Sequence, residues 1–393
     1  MRNKIIIWGR DNFNTLGLLR QLSGEGREIF FLMWGKPVGC ASASKYFGEH
    51  VVVESMEEGY QYLLTHFTDV PLKPVVFTPS DELIEFIDQH KIELQQYYIL
   101  PGTKEQGLLT KIDDKNTMTS LAQRLGFLVP QSQVCRKDTE LKNIQYPCII
   151  KPAHTTAGHR NEFKFMICND EKALRKALKY VRYDSEFIIQ QYIPKESVAL
   201  VYGARMGNGN VKTAGVLIKD RFIACGDGSH GFVTTKYPAG IDVGKITAFL
   251  NEIDYCGLFS FEYGLYKDNA YFFEVNLRND GTSHYFHQAG ANIPLAWYKS
   301  MIGEDYSSVN TTVTNDAWYI DEIFDEANVW NGSISRKQWK KEKAEATVFK
   351  YYDKEDQNPW KQMKRGKCRK IVQDSIMKKY RMYIVYLIDK LKH

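Results

Sequence analysis

Over its first hundred residues the chain switches repeatedly between short apolar runs and segments of helical periodicity, and this alternation limits its fold more than any other feature. Lys4–Trp8 reads as a buried strand, a Gly-containing turn follows, and Thr15–Leu22 is periodic. Glu28–Trp34 and the short Val51–Val53 are further strand candidates, Met56–Thr65 is helical, and Pro74–Thr78 is another short strand. Asp81–His90 opens with acidic residues, as helix amino termini prefer. Strands alternating with helices predict a Rossmann-like α/β unit built on a parallel sheet. The turn after the first strand, Gly9-Arg10-Asp11-Asn12-Phe13-Asn14, lacks the G-x-G-x-x-G that lets a pyrophosphate approach the backbone. That argues against a dinucleotide site.

A different texture begins near residue 113. Asp113–Leu125 reads as a helix capped by Asp113 or Asp114 and stopped at Gly126. Tyr146–Pro152 is a strand and Asp170–Tyr183 is helical. Ser197–Ala204 and Val211–Ile218 flank Gly207-Asn208-Gly209-Asn210, and Phe259–Tyr266 and Tyr271–Asn276 flank Lys267-Asp268-Asn269. Both connections have hairpin composition, so an α+β body follows the α/β start. The one G-x-G-x-x-G in the chain, Gly226–Gly231, is followed by the extended-looking Phe232-Val233-Thr234-Thr235 instead of a helix, and it reads as a loop. No G-x-x-x-x-G-K-[ST] occurs.

With 393 residues the chain has room for two or three compact units. Its seven cysteines are scattered without a CxxC pair, a pattern of reduced thiols in a cytoplasm. The first apolar run is too short for a signal peptide, and no stretch approaches the roughly 20 apolar residues that span a bilayer. From Lys361 to His393 eleven Lys/Arg face two Asp, a local +9; against +5 overall, the preceding 360 residues carry −4. A chain-wide nucleic-acid surface is therefore not expected. The tail's apolar run Met382–Ile388 among its basic residues has two readings: a helix docked on the acidic body, or a peripheral contact with an anionic membrane surface.

The sharpest chemical signal is Phe261-Glu262-Tyr263 followed by Phe273-Glu274-Val275-Asn276-Leu277-Arg278. Alternation along a strand puts Glu274 and Asn276 on one face with Arg278 continuing it. If the preceding strand pairs across Lys267–Asn269, Glu262 joins that face. Two carboxylates and an amide oxygen make a hard, oxygen-rich site suited to magnesium bridging nucleotide phosphates. Arg278 would take a phosphoryl or carboxylate group in bidentate fashion. The bland alternative, an edge strand with solvated acids, fits poorly with the neighbouring Phe272, Phe273, Val275 and Leu277, because an unpaired acid is costly in an apolar hairpin.

The Glu-Val-Asn-x-Arg run resembles the metal-binding signature of the ATP-grasp superfamily. Asp114-Lys115 with Gly126-Phe127-Leu128-Val129-Pro130, then Pro147–Pro152, then Ile188–Pro194, agree with that superfamily in order and spacing. The resemblance covers roughly residues 1 to 305. It implies a pre-ATP-grasp domain over residues 1–112, a two-lobed ATP-grasp domain over 113–307 and a C-terminal extension with a basic tail over 308–393. It also implies ATP and Mg2+ as cofactors. In it Lys115 and Lys151 would hold phosphates, Gln190 and the Ile193 backbone the adenine edge, and Glu196 the ribose hydroxyls unless it is a solvated turn residue. Glu262, Glu274 and Asn276 would hold the metal, and Arg278 and Lys236 would act on the transferred phosphoryl group. The lid after Lys151-Pro152 departs from the glycine-rich pattern: it has a single glycine in Ala153–His159, with Thr155 and Thr156 as hydroxyl donors. Gly281-Thr282-Ser283-His284 resembles an acceptor loop, with His284 and His287 either at the acceptor or packed in the core. The implied activity is a carboxylate–amine ligase acting through an acyl phosphate on small-molecule substrates, in the setting of cell-envelope or polysaccharide precursors. A small-molecule kinase of the same fold, which would turn over a hydroxyl substrate, and a noncatalytic nucleotide-binding protein are the other readings.

Overall fold

Buried apolar runs and capped helices build the first sheet. In the computed structural model, which describes residues 2–24, 26–136, 141, 143–152, 165–181, 186–223 and 226–366, β1 (Ile5–Gly9), β2 (Ile29–Trp34), β3 (His50–Val53) and β4 (Val75–Phe77) lie parallel in the order β3-β2-β1-β4. The connecting helices α1 (Phe13–Leu22), α2 (Met56–Thr65) and α3 (Asp81–Gln89) each start at a side chain that accepts backbone N–H bonds: Asn12, Ser55 and Ser80. After the short α4 (Lys91–Leu94), the expected helix Asp113–Leu125 divides into α5 (Leu108–Asp113) and α6 (Lys115–Arg124). Asp114 leaves helical geometry at ψ 120°, and its carboxylate caps α6 through the Thr117 N–H.

β5 (Ser132–Cys135), β6 (Cys148–Pro152), β7 (Met166–Cys168) and β8 (Phe187–Gln191) form an antiparallel sheet in the order β5-β8-β6-β7. The helix expected over Asp170–Tyr183 is α7 (Glu171–Ala177), capped by Asp170 and closed by a 3-10 turn at Leu178–Tyr180.

The third sheet takes β9 (Ser197–Arg205), β10 (Val211–Phe222), β11 (Gly228–Thr234), β12 (Gly257–Tyr266), β13 (Asn269–Asn276), β14 (Ala317–Ile320) and β15 (Val348–Phe349), with α8 (Val243–Glu252) between β11 and β12. Its order is β13-β12-β9-β10-β11-β14-β15, antiparallel except for the last pair. Lys267 and Asp268 connect β12 to β13 with φ of 48° and 58°, as a two-residue type I′ turn requires. The Gly226–Gly231 motif is only partly a loop: from Gly228 onward it is strand β11. A Cβ on Gly228 would come within 2.8 Å of both the Lys219 Cδ and the Tyr319 hydroxyl. The glycine clears a path for side chains, not for a pyrophosphate.

One face of this sheet packs Val201, Phe261, Tyr263 and Phe272 with Phe127, Phe249 and Met118 of the layer that holds α6 and α8. The other face packs Leu200, Tyr202, Leu217 and Val233 against α1, α9 (Ser283–Gln288) and α10 (Ile293–Met301), in one core with Ile5, Ile7 and Phe31 of the first sheet. The segment after residue 308 does not stand apart, since β14 and β15 complete the sheet. With α11 (Ala327–Trp330), α12 (Arg336–Glu345) and α13 (Asn358–Gly366) around them, the buried ion pair Arg20–Asp356 at 3.0 Å fastens it to α1, and Lys350–Asp321 at 2.9 Å ties the ends of β14 and β15 together. Asp356 also accepts from Ser44 Oγ and Lys45 N–H. The basic tail from Lys361 begins in α13, its remainder, 367–393, lies outside the described residues, and among the described residues no helix is long and apolar enough to cross a membrane.

Asp356→Ala strands the Arg20 guanidinium, whose side chain is only 2% exposed. Removing one partner of a buried pair costs about 3–5 kcal/mol, so urea unfolding should show a loss of that order.

Candidate active site

The alternation of β12 and β13 sorts their side chains by chemistry. Phe261, Tyr263, Phe272 and Val275 take the buried face, and this turns Ser260, Glu262, Glu274 and Asn276 to the opposite one. Pairing sets Glu262 directly across from Glu274 and Ser260 across from Asn276, with a register shift just beyond Glu262. Glu274 is solvent-accessible and makes no hydrogen bond or ion pair among the described residues. Burial, and then the Glu262 charge, nevertheless raise its pKa against the pull of Lys115, Arg278 and Lys219.

Cations surround the two acids. Lys219 reaches from β10 across β9 and places Nζ 2.9 Å from Glu262 Oε2. Burial alone would lower its pKa, but Glu262 and Asp280 outweigh that and raise it. Lys195 lies over the Phe222 and Phe273 rings at 5.2 and 5.7 Å. Its pKa is pulled down by burial, with Glu262 and Glu274 opposing. Arg278 donates to both oxygens of Asp81 at 2.6 and 3.0 Å and to Asn276 Oδ1 at 3.2 Å. Asp280 accepts from Ser260 and from the Thr282 N–H and hydroxyl. Burial would raise its pKa, but Arg278 and Lys219 hold it below the ordinary range.

The four-stranded sheet faces this cluster with Lys151. Its Nζ donates to Gln190 Oε1 at 3.0 Å. Its pKa is pushed down to about 8 by burial, with Lys115 adding to the depression and Glu274 opposing it. The strand register puts Val134, Ile188 and Lys151 in one row and Ser132, Gln190, Ile149 and Ile167 in the next, all on one face. Val134 and Ile167 are 46% and 43% exposed there, an apolar surface left open beside a lysine.

The structure thus brings together Lys115, Lys151, Glu262, Glu274, Asn276 and Arg278, with Gln190 against Lys151. Ile193, just beyond β8, is buried, and its carbonyl accepts from the Lys195 N–H. Glu196 is exposed and held by its backbone to Leu265. Lys236 is not brought to the cluster. It follows β11, its side chain is 84% exposed, and it pairs with Asp316. Lys219 stands at the acids in its place, one residue past the point where the sequence pattern ends that strand. Thr155 and Thr156 lie outside the described residues. His284 and His287 are packing residues: His284 Nε2 accepts from Arg20 at 3.2 Å, and burial keeps its imidazole neutral. Asp81, Lys219 and Asp280 carry no motif. The only sequence signal for Lys219 is the Leu217/Lys219 alternation combined with glycines on the neighbouring strand.

The two acids, one of them without a partner among the described residues, fit a divalent cation. Among the described residues no three His, Cys, Asp or Glu side chains form a metal cage. Two carboxylates and an amide are the smaller set by which magnesium is held when phosphates and water complete its shell.

No protein-family model matches the chain. Its fold is that of the ATP-grasp superfamily. Among solved structures it resembles N5-carboxyaminoimidazole ribonucleotide synthetase in its ADP complex, with TM-score 0.64, 16% identity, and 85% of each chain covered. It also resembles L-amino acid ligase from Bacillus licheniformis, with TM-score 0.59, 17% identity, and 81% of this chain and 79% of the other covered. By sequence it is 22% identical over 247 residues to D-aspartate ligase of Enterococcus faecium, spanning 58% of each chain. Over 151 residues it is 26% identical to the formate-dependent phosphoribosylglycinamide formyltransferase of Sulfolobus acidocaldarius, spanning 36% of this chain and 37% of that one. The chain therefore spans little more than half the length of the first of these relatives and about a third of the second.

Glu262→Gln removes the charge facing Glu274, so the Glu274 pKa should fall in a carboxyl-carbon NMR titration assigned with Glu274→Gln. An unmoved titration would mean that the two acids do not face each other.

Proposed function

We propose that the chain is an ATP-dependent carboxylate–amine ligase acting through an acyl phosphate. The observation that supports this best is the convergence of Glu262, Glu274 and Asn276 with Lys115, Lys151, Lys219 and Arg278 between two sheets. In this reading adenine lies on the apolar surface of Val134, Ile149 and Ile167, with Gln190 and the Ile193 backbone at its edge and Glu196 at the ribose. Lys115 and Lys151 bind the phosphate oxygens. Glu262, Glu274 and Asn276 would hold Mg2+, which neutralises phosphate charge when bound. Lys219 takes the part expected of Lys236, and Arg278 orients the transferred group, held in place by Asp81.

The chemistry asks for no acid–base dyad. A substrate carboxylate oxygen attacks the γ-phosphorus, the bond to the bridging oxygen breaks, and ADP leaves. The amine then attacks the acyl carbon, phosphate departs with the bonding pair, and the amine proton is lost. Both substrates are small molecules. Placing the product among cell-envelope or polysaccharide precursors extends the proposal along the resemblance to ligases that add amino acids.

Two measurements test it. Glu274→Gln should lower turnover by about 100-fold or more, the scale of losing one preorganised electrostatic contact, with the fold unchanged by circular dichroism. The wild type should release ADP and phosphate in step with amide, and hydroxylamine should trap the acyl phosphate; AMP and pyrophosphate would refute the acyl-phosphate route.

Lys151 adds a pH dependence. Phosphate binding needs its charged form, which predominates below its pKa and is lost above it. ATP affinity by calorimetry should therefore fall about tenfold between about pH 7 and about pH 9. Lys151→Ala should flatten that profile and weaken binding by roughly 2 kcal/mol at the lower pH.

A further inference from the structure

Cys148 and Cys168 stand directly across from each other in the antiparallel pair β6–β7, in one row with Gln191 of β8. Cross-strand partners share a face, and their Cα atoms lie about 4.5–5.5 Å apart, inside the span of about 4.4–6.8 Å that a disulfide bridges. Both thiols are free and 1% exposed, and both belong to the small core under this sheet with Ile150, Phe187 and Ile189. Cys135 shares that core, but its row is that of Phe187 and Pro152, at the other end of β6. The register therefore singles out one pair.

Two features give a small oxidant access to it. β7 is the edge strand of the order β5-β8-β6-β7, and only Met166, Ile167 and Cys168 pair it to β6. So short an edge strand opens at lower cost than the strands inside the sheet. Cys148 also lines a cleft of 300 Å³ between Gln133, Asn143 and Gln191. With β7 in place, burial pushes both thiols up, Cys148 to about 12, so the closed pair rests protonated and inert.

We propose that Cys148 and Cys168 form a redox modification site, closed to a reversible disulfide by hydrogen peroxide. When β7 opens, the Cys148 thiolate attacks one peroxide oxygen, the O–O bond breaks, and hydroxide leaves. The Cys168 thiolate then attacks the sulfenic sulfur, the S–O bond breaks, and a second hydroxide leaves. The two hydroxides take up the two thiol protons, so one peroxide and two thiols give one disulfide and two waters. Two electrons from the sulfurs reduce the O–O bond. The bridge ties β7 to β6 at the end away from their connection. It holds Ile167 opposite Ile149, on the face that carries Lys151. None of this depends on which reaction the protein catalyses.

The test treats reduced full-length protein with hydrogen peroxide under native conditions and reads a non-reducing tryptic digest by mass spectrometry. The Cys148 peptide should appear joined to the Cys168 peptide, lighter than their sum by two hydrogens, and dithiothreitol should separate them. Cys148→Ser and Cys168→Ser should each abolish the joined peptide, and Cys135→Ser should leave it. Amide hydrogen exchange at residues 166–168 should slow at least about tenfold when the wild type is oxidised, the scale of suppressing local opening of an edge strand. Peroxide should leave that exchange unchanged in Cys148→Ser. Linkage of either cysteine to a different partner, a bridge that forms only in urea, or sulfinic acid at both positions without a link would overturn the assignment. A bridge that leaves exchange at 166–168 unchanged would overturn its hold on β7.

Discussion

The arrangement of this molecule depends on a buried polar seam where the loop leaving β13 meets the carboxyl end of the first sheet. Asn279 donates to Asn14 Oδ1 and Ser283 Oγ and accepts from the Tyr202 hydroxyl, and Gln21 donates to the same Ser283. Arg278 closes the edge of the seam through both oxygens of Asp81. Apolar contact is tolerant of small slides, but a closed set of hydrogen bonds is not, because each displaced donor or acceptor would be left unsatisfied in a buried place. The seam therefore sets the position of the first sheet relative to the face of β12 and β13 that carries Glu262 and Glu274.

Charge at the site is balanced short of neutrality at each group. Among the described residues Glu274 has no direct partner, and it lies opposite another acid, while Lys151 is depressed by burial and by Lys115. Lys219 is satisfied by Glu262, and Arg278 by Asp81. The fully paired cations are those that need fixed positions. The groups left under electrostatic stress are those that a cation and a polyphosphate would relieve, so the cost of assembling the site is recovered when it is filled.

The elements and much of the geometry of the candidate site were legible in the sequence, for identifiable reasons. Strand alternation was enough to put Glu274 and Asn276 on one face, and the Lys267-Asp268 turn was enough to bring Glu262 across from them. Lys151 was legible because it ends an apolar strand. Lys236 and Lys219 show the limit. Both lie within a few residues of plausible strand ends, and one-dimensional spacing favoured Lys236. The lysine found beside the acids reaches across β9, and only the seven-strand order makes that crossing short. The glycines of Gly226–Gly231 misled in a related way: their use is to admit the Lys219 and Tyr319 side chains from other strands. Asp113 and Asp114 were equivalent as caps until backbone geometry separated them, ending one helix at the first and starting the next at the second.

By itself the sequence determined what is local: which residues form strands and helices, where helices are capped, and which side chains share a face, because the periods of 2.0 and 3.6 residues and the chemistry of caps and turns act over a few neighbours. The tertiary structure alone decided what is brought together from far along the chain. It paired Arg278 with Asp81 and joined Arg20 to Asp356. Those contacts follow from strand order and from burial of the polar seam, which no periodicity encodes.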